Sequence, residues 1–355
     1  MYLDFFKLRE FPFRLTPDTE FLYMSNAHAR AKAYMDYSVW NREGFVVITG
    51  EIGCGKTILI KKLLSELEEE NFLVAKIFQT QLDEVEFLQA VLVEYGLNPF
   101  SAKKVELIDM LNTFLVDSYR EMKQLVLIVD DAHNLSLKAL EEIRMLSGLE
   151  TQKEKVLHVI LVGQPQLNAM LDAPELEQLV QRVRLRFHVR PLTLDEMAEY
   201  IAHRLKVAGA TRTDLFTPET MPVIYKYTGG VPRLINTLCD TTLTVAYADN
   251  LPTVTISVLK EALDELQWQP FERRAGRLAK AAPKGDRAHT VREQDKMIAN
   301  IGTRLNQVDS LVPSLSLITD RMANIEALLK TITDFMRQSR QERSAPARKT
   351  GGKDH

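Results

Sequence analysis

The stretch 45-FVVITGEIGCGKT-57 decides the fold. An apolar, β-branched run of strand length is followed by the pattern G-x4-G-K-[ST] and then by the start of a helical pattern over 56–70. A phosphate-binding loop needs that strand–loop–helix context. Gly50, Gly53 and Gly55 let the backbone curl until its N–H groups converge on phosphate oxygens, with Glu51, Ile52 and Cys54 completing the loop. The helix starting near Lys56 adds its positive N-terminal end. Lys56 is placed to reach the β- and γ-phosphates, and the Thr57 hydroxyl to ligate Mg²⁺. The expected ligands are ATP and Mg²⁺. Cys54 reads as a small filler or as a redox-sensitive thiol.

Outward from this stretch, apolar runs alternate with amphipathic ones. Strands are expected at 45–49, 73–78, 125–130, 157–163 and 185–189, with helices over 56–70, 83–95 and 104–120. Strands separated by helices predict an α/β fold, a parallel sheet between two helical layers. The third strand ends 125-LVLIVDD-131. A buried strand ending in acids downstream of a phosphate loop is the Walker B pattern. Asp130 is expected to hold Mg²⁺ through water, and Asp131 to orient or deprotonate the attacking water.

From about 193 to 265 the periodicity is helical only, punctuated by Pro218, Gly229-Gly230, Pro232 and Pro252. The expected organisation is a nucleotide-binding core over 1–190, a helical lid over 191–268, a basic linker over 269–290, a coiled-coil arm over 291–338 and a disordered basic tail over 339–355. The arm rests on Val308, Leu311, Leu315, Ile318, Met322, Ile325, Leu329, Ile332 and Met336, spaced alternately by three and four. The other reading of that seam is a helix folded back on the body. Pro313 is expected to kink or restart it.

Net charge is −3, but residues 1–268 carry −10 and residues 269–355 carry +7. An acidic body with a basic tail suggests an anionic partner for the tail, or only a solvated one. Two cysteines exclude a disulfide framework, and they have no zinc spacing. No apolar run approaches the roughly 18 residues of a spanning helix. The first residues do not read as a signal peptide. These features predict a cytoplasmic protein, with any membrane role peripheral on the inner membrane.

The phosphate loop, the Walker B strand, 163-GQP-165 and 229-GGVPR-233 occur in the order seen in AAA+ ATPases. More narrowly, 5-FFKLREFPFRLTPDTEFLY-23, 160-ILVGQPQL-167, 199-EYIAHRLKVAGA-210 and 229-GGVPRLINTLCD-240 resemble the general secretion pathway protein A (ExeA/GspA) group. That group includes ATPases of MSHA pilus biogenesis and of exosortase/PEP-CTERM loci. The resemblance implies an AAA+ core with a helical lid, and ATP hydrolysis that drives or times assembly of a bacterial envelope export system. TQLD at 80–83 and the lid motif lean toward the exosortase branch. By resemblance Gln164 is the sensor 1 side chain and Arg233 the sensor 2 arginine. Arg182 is the arginine finger given to a neighbouring copy, or a surface ion pair; the finger implies a homo-oligomer. Phe11, Pro12 and Phe13 either close the adenine pocket or pack in a core. The arm would meet an inner-membrane envelope-assembly protein, and the basic flanks anionic lipid.

Two departures stand out. Most of the group reads Asp-Glu-Ala-Gln where this chain has Asp130-Asp131-Ala132-His133. The shorter acid withdraws its carboxylate by roughly 1 Å, which predicts slow hydrolysis. His133 either compensates, caps the next helix or packs in the loop. Where larger members carry a membrane span and a peptidoglycan-binding region, the linker and heptads are expected here instead. Competing readings are a DNA-associated AAA+ protein of transposition-regulator type, against which the acidic body argues, and a scaffold that binds ATP without hydrolysing it.

Overall fold

The computed structural model describes residues 2–41, 44–68, 72–100, 103–148, 155–212 and 214–274. The expected arm over 291–338, the tail over 339–355 and most of the linker lie outside them.

Five strands form the sheet: β1 Phe45–Gly50, β2 Phe72–Ile77, β3 Gln124–Val129, β4 Leu157–Gly163 and β5 Leu185–Val189. All pairings are parallel, and the spatial order is β2-β3-β4-β1-β5. All five strands expected from the sequence are present, within one or two residues. β1 is buried along its whole length, so apolar side chains alternate between two covered faces. Val46, Ile48, Val126, Ile128, Ile160 and Val162 face one layer, which includes α2 (Asn26–Trp40) and α3 (Lys56–Leu67). Val47, Leu127, Val129, Val159 and Leu161 face the other. There α4 (Glu84–Glu94), α5 (Lys104–Arg120), α6 (Leu137–Leu146), α7 (Gln166–Leu171) and α8 (Glu177–Val180) complete the layer.

A third apolar cluster is helical. It holds α9 (Leu194–Val207), α10 (Met221–Thr228), α11 (Pro232–Ala248) and α12 (Ile256–Glu265). The short N-terminal helix α1 (Tyr2–Phe6) joins it, with Leu8, Phe13 and Phe21. The N-terminal aromatic residues thus pack with the helices of the lid rather than against the sheet. Phe13 meets Phe216 edge-on at 6.1 Å, and Tyr2 donates to Asp240 at 2.6 Å. In sequence these residues are nearest to β1. Their partners lie some 200 positions away.

The topology positions the site. From β1 the chain crosses to the far edge at β2, returns through β3 and β4, and adds β5 on the other side of β1. Ligands of open parallel sheets bind outside the carboxyl ends of the strands, where the order reverses. Gly50, Asp130 and Gln164 stand at the carboxyl ends of β1, β3 and β4. No helix among the described residues is long and apolar enough to cross a membrane.

Candidate functional site

The loop after β1 has the backbone a phosphate cradle needs. Gly53 and Gly55 sit at φ +84° and +91°, a region L side chains rarely enter, and Gly55 is the N-cap of α3. Space excludes side chains there as well. A Cβ at Gly53 would fall 2.6 Å from Arg233 Cβ, and one at Gly55 2.7 Å from His28 Nε2. Lys56 lies along the loop, its ammonium donating to the carbonyls of Gly50 at 2.7 Å and Glu51 at 3.0 Å. Burial pulls its pKa down, opposed in part by the carboxylates of Asp130 and Asp131. An anion in the cradle would offer this ammonium a charged acceptor in place of two neutral ones.

The acids after β3 divide into a buried one and an exposed one. Asp130 is buried, and its Oδ2 accepts from the Thr57 hydroxyl at 2.8 Å. Its Oδ1 accepts from the Asp131 N–H at 2.9 Å. Burial raises the Asp130 pKa, the hydrogen bond from Thr57 offsetting part of the rise. The Thr57–Asp130 pair fits a divalent cation: a hydroxyl and a carboxylate already in contact, both hard oxygen ligands. Among the described residues no cluster of three or more His, Cys, Asp or Glu could hold a metal alone. Waters or a ligand's oxygens would complete the shell.

Asp131 is exposed, lines the cleft and sits at φ +50°. Asp tolerates that region better than most residues, so the local backbone itself favours a short acid at this position. Its carbonyl accepts from the buried Thr80 hydroxyl at 3.0 Å, which ties the turn to the end of β2. His133 does not cap the following helix; Ser136 does. Its Nδ1 accepts from the Gln164 N–H at 3.4 Å and lies 3.9 Å from Asp131 Oδ1. Burial lowers its pKa, in keeping with the accepting, neutral ring. His133 therefore packs between the β3 and β4 loops.

The lid and the N-terminal segment close the cleft, whose volume is about 360 Å³. Arg233, at the start of α11, donates its N–H to Gly53 O at 3.2 Å and lines the cleft, as does Gln164. Of the candidate N-terminal residues, Phe13 is in the helical core and Phe11 packs against that core. The cleft is lined by the residues that follow, Arg14 to Asp18. Arg204 of α9 holds that segment. Its buried guanidinium donates to the carbonyls of Pro12 and Arg14 and to the Tyr200 hydroxyl, and stands 4.8 Å from the Phe21 ring. From the other side Lys61 of α3 donates to Pro17 O at 3.0 Å. Next along the chain, His28 meets the loop itself, with Nε2 2.9 Å from Cys54 O.

Lys56, Thr57, Asp131, Gln164 and Arg233 thus line one cleft, and Asp130 touches it through Thr57. Arg182 stands apart. Its Nη1 donates to Arg144 O at 2.6 Å and Ser147 Oγ at 3.1 Å, at the C-terminal end of α6. Cys54 is buried, and burial lifts its thiol to about 11, which suits the filler reading. The sequence assigns no site role to His28, Thr80 or Arg204, because each is a single residue with no spacing pattern, and Thr80 enters it only within TQLD. Arg204 lies inside a motif of the resemblance, the one trace of it in the sequence.

Residues 40–171 match the model of an AAA domain. General secretion pathway protein A of Aeromonas hydrophila is 39% identical over 250 residues, which is 70% of this chain and 45% of that protein. The chain spans about half the length of this curated relative. Among solved structures, Cdc6p from Pyrobaculum aerophilum superposes with a TM-score of 0.56 at 15% identity, covering 70% of each chain. Drosophila ORC bound to DNA gives 0.54 at 17% identity, over 73% of this chain and 64% of that one. The ORC2 protein of Aeropyrum pernix, in ADPNP–ADP complexes, gives 0.51 at 14%, over 68% and 67%. At these identities the structural matches speak for the fold alone. The α/β P-loop AAA+ fold and the relationship to the general secretion pathway protein A group, both expected from the motifs, are what the comparisons return.

Proposed function

We propose that this AAA+ chain of the general secretion pathway protein A group binds and hydrolyses Mg-ATP to drive or time assembly of a bacterial envelope export system. One observation carries the reading: Lys56, Thr57, Asp131 and Gln164 line a cleft that the helical segment also lines and meets through the contact between Arg233 N–H and Gly53 O. The loop N–H groups and Lys56 would hold the phosphates, and Thr57 and, through water, Asp130 would hold Mg²⁺, whose charge would offset that of the phosphates. Asp131 orients the attacking water and accepts its proton. Gln164 and Arg233 bear on the terminal phosphate, the latter from the lid, so a change in phosphate state alters the lid angle. The shorter Asp131 makes turnover slow, which suits timing better than sustained work.

The finer assignments rest on the resemblance. The chain acts as a homo-oligomer, with Arg182 as the finger. In that role Arg182 would exchange its bonds at the end of α6 for a neighbour's phosphate. The arm over 291–338 pairs with a second copy or with an inner-membrane assembly protein, and its basic flanks rest on anionic lipid at about 1 kcal/mol per Lys or Arg near the surface. The protein is then cytoplasmic and peripheral on the inner membrane, and the process is secretion, a type IV pilus or an exosortase-linked polysaccharide system.

Phosphate release by the full chain, with Mg²⁺ and with chelator, tests the activity. Mg²⁺-dependent release supports it. Binding of ATP without release at any magnesium concentration would leave only a nucleotide-dependent scaffold.

A further inference from the structure

His28 reaches the phosphate loop from outside every motif. It lies in the first turn of α2, is 3% exposed, and places Nε2 2.9 Å from the carbonyl oxygen of Cys54. Its Nδ1 lies 2.6 Å from Oγ of Ser25, the N-cap of α2. A carbonyl only accepts, so Nε2 carries the proton and Nδ1 accepts from the Ser25 hydroxyl. One tautomer satisfies both ends of the ring. Burial pushes the His28 pKa below its ordinary value, in keeping with a neutral ring.

Peptide planarity gives this bond its consequence. In a trans peptide the C=O and the following N–H point in opposite directions from one rigid plane. There is no cis peptide bond among the described residues. Holding the Cys54 carbonyl toward α2 therefore aims the Gly55 N–H away from α2. On its C-terminal side nothing in Gly55 itself would resist a flip of this plane, because glycine populates both signs of φ. In the flipped state a carbonyl, not an N–H, would face a bound phosphate. The imidazole also occupies the space that a Cβ at position 55 would need, so the glycine and the histidine fit each other.

We propose that His28 is a positioning residue of the nucleotide site, locking the Cys54–Gly55 peptide so that the Gly55 N–H is presented to nucleotide phosphate. The proposal rests on the nucleotide-binding reading above and adds to it a source of preorganisation that lies outside the loop. Its effect is on phosphate affinity, since a loop that must first turn a peptide binds more weakly than one held ready.

The test is a fluorescence titration of the full chain with N-methylanthraniloyl-ATP and Mg²⁺. Wild type is compared with His28→Leu, His28→Gln and His28→Asn. Gln carries its amide nitrogen at about the reach of Nε2, Asn at about that of Nδ1. Loss of about tenfold or more in affinity is expected for His28→Leu, the scale of one hydrogen bond to a charged group. His28→Gln should recover most of it and His28→Asn should not. Recovery by Gln alone separates donor position from mere packing. Where His28→Leu folds poorly, the Gln and Asn pair, both polar, still decides. Wild-type affinity in His28→Leu, or equal weakening in Gln and Asn, overturns the proposal. A wild-type chain that does not bind the probe overturns the nucleotide reading itself, a result distinct from the other two.

Discussion

Gly53→Ala probes the contact between lid and loop, and its effect can be worked out from the geometry. Two penalties apply. The first is backbone: φ is +84° at Gly53, and an L residue in the left-handed region costs about 1–2 kcal/mol. The second is contact: the new Cβ would stand 2.6 Å from Arg233 Cβ, where carbon atoms normally approach to about 3.5–4.0 Å. Arg233 Cβ is fixed to the backbone of α11, so the helix, not a flexible side-chain end, must retreat by roughly 1 Å. A displacement of that size at a catalytic site costs on the order of 10²-fold in rate. Gly96→Ala separates the two penalties. Gly96 has the same φ of +84°, and a Cβ there meets nothing within 4 Å. Thermal unfolding and phosphate release are the assays. Both variants should melt lower, Gly53→Ala by the larger amount because it carries both penalties, and only Gly53→Ala should lose turnover. Wild-type turnover in Gly53→Ala, or equal loss in both, refutes the argument that the contact between α11 and the loop sets the geometry of the site.

Other outcomes follow from the acids and the arm. Asp130→Asn should raise the melting temperature of the ligand-free protein at neutral pH while removing the magnesium dependence of ATP binding. The sign comes from burial: a carboxyl whose folded pKa lies above the ordinary 3.8 favours folding when protonated, a contribution lost as pH rises through the raised value. A lower melting temperature for the variant across that range would show that the charge stabilises. Asp131→Glu should raise turnover with affinity nearly unchanged, and Asp131→Asn should lose turnover; if Asp131→Asn hydrolyses at the wild-type rate, another group positions the water. Leu315→Asp combined with Ile325→Asp should abolish self-association or vesicle binding of the full chain, read by light scattering and flotation, and leave ATP affinity intact. Association unaffected by two charges in the seam would remove the arm from the proposal.

The sheet was legible because its evidence is local. The near-continuous apolar runs of β1, β3 and β4 and the glycine spacing of the loop can be read within a dozen positions. Lys56, Thr57, Asp130 and Asp131 were equally legible, since each follows the end of a strand in a fixed pattern. The N-terminal segment was not. Phe13 and Phe21 signal only that they need burial; that their partners lie on α9 to α12 is a tertiary fact. The segment facing the cleft, Arg14 to Asp18, looks like an ordinary turn-rich stretch. His28 reads as one more residue of an amphipathic helix, and Arg204 as one more charge on a polar face. Their roles come from Cys54 O and from Pro12 O and Arg14 O, backbone atoms that carry no sequence signature.

The most direct measurement is calorimetric titration of ATP into the full chain and its Lys56→Ala variant, each with and without Mg²⁺. Lys56 is the only lysine of the loop, and its ammonium lies on the loop carbonyls where the phosphates would enter. Replacing a charge-assisted contact by a methyl group should weaken binding by about 1.5–3 kcal/mol, roughly 10- to 150-fold. Mg²⁺-dependent binding by the wild type, weakened by that factor in Lys56→Ala, is the expected result. Equal affinity of the two proteins, or no binding of ATP by the wild type, would contradict the assignment of this cleft as the nucleotide site.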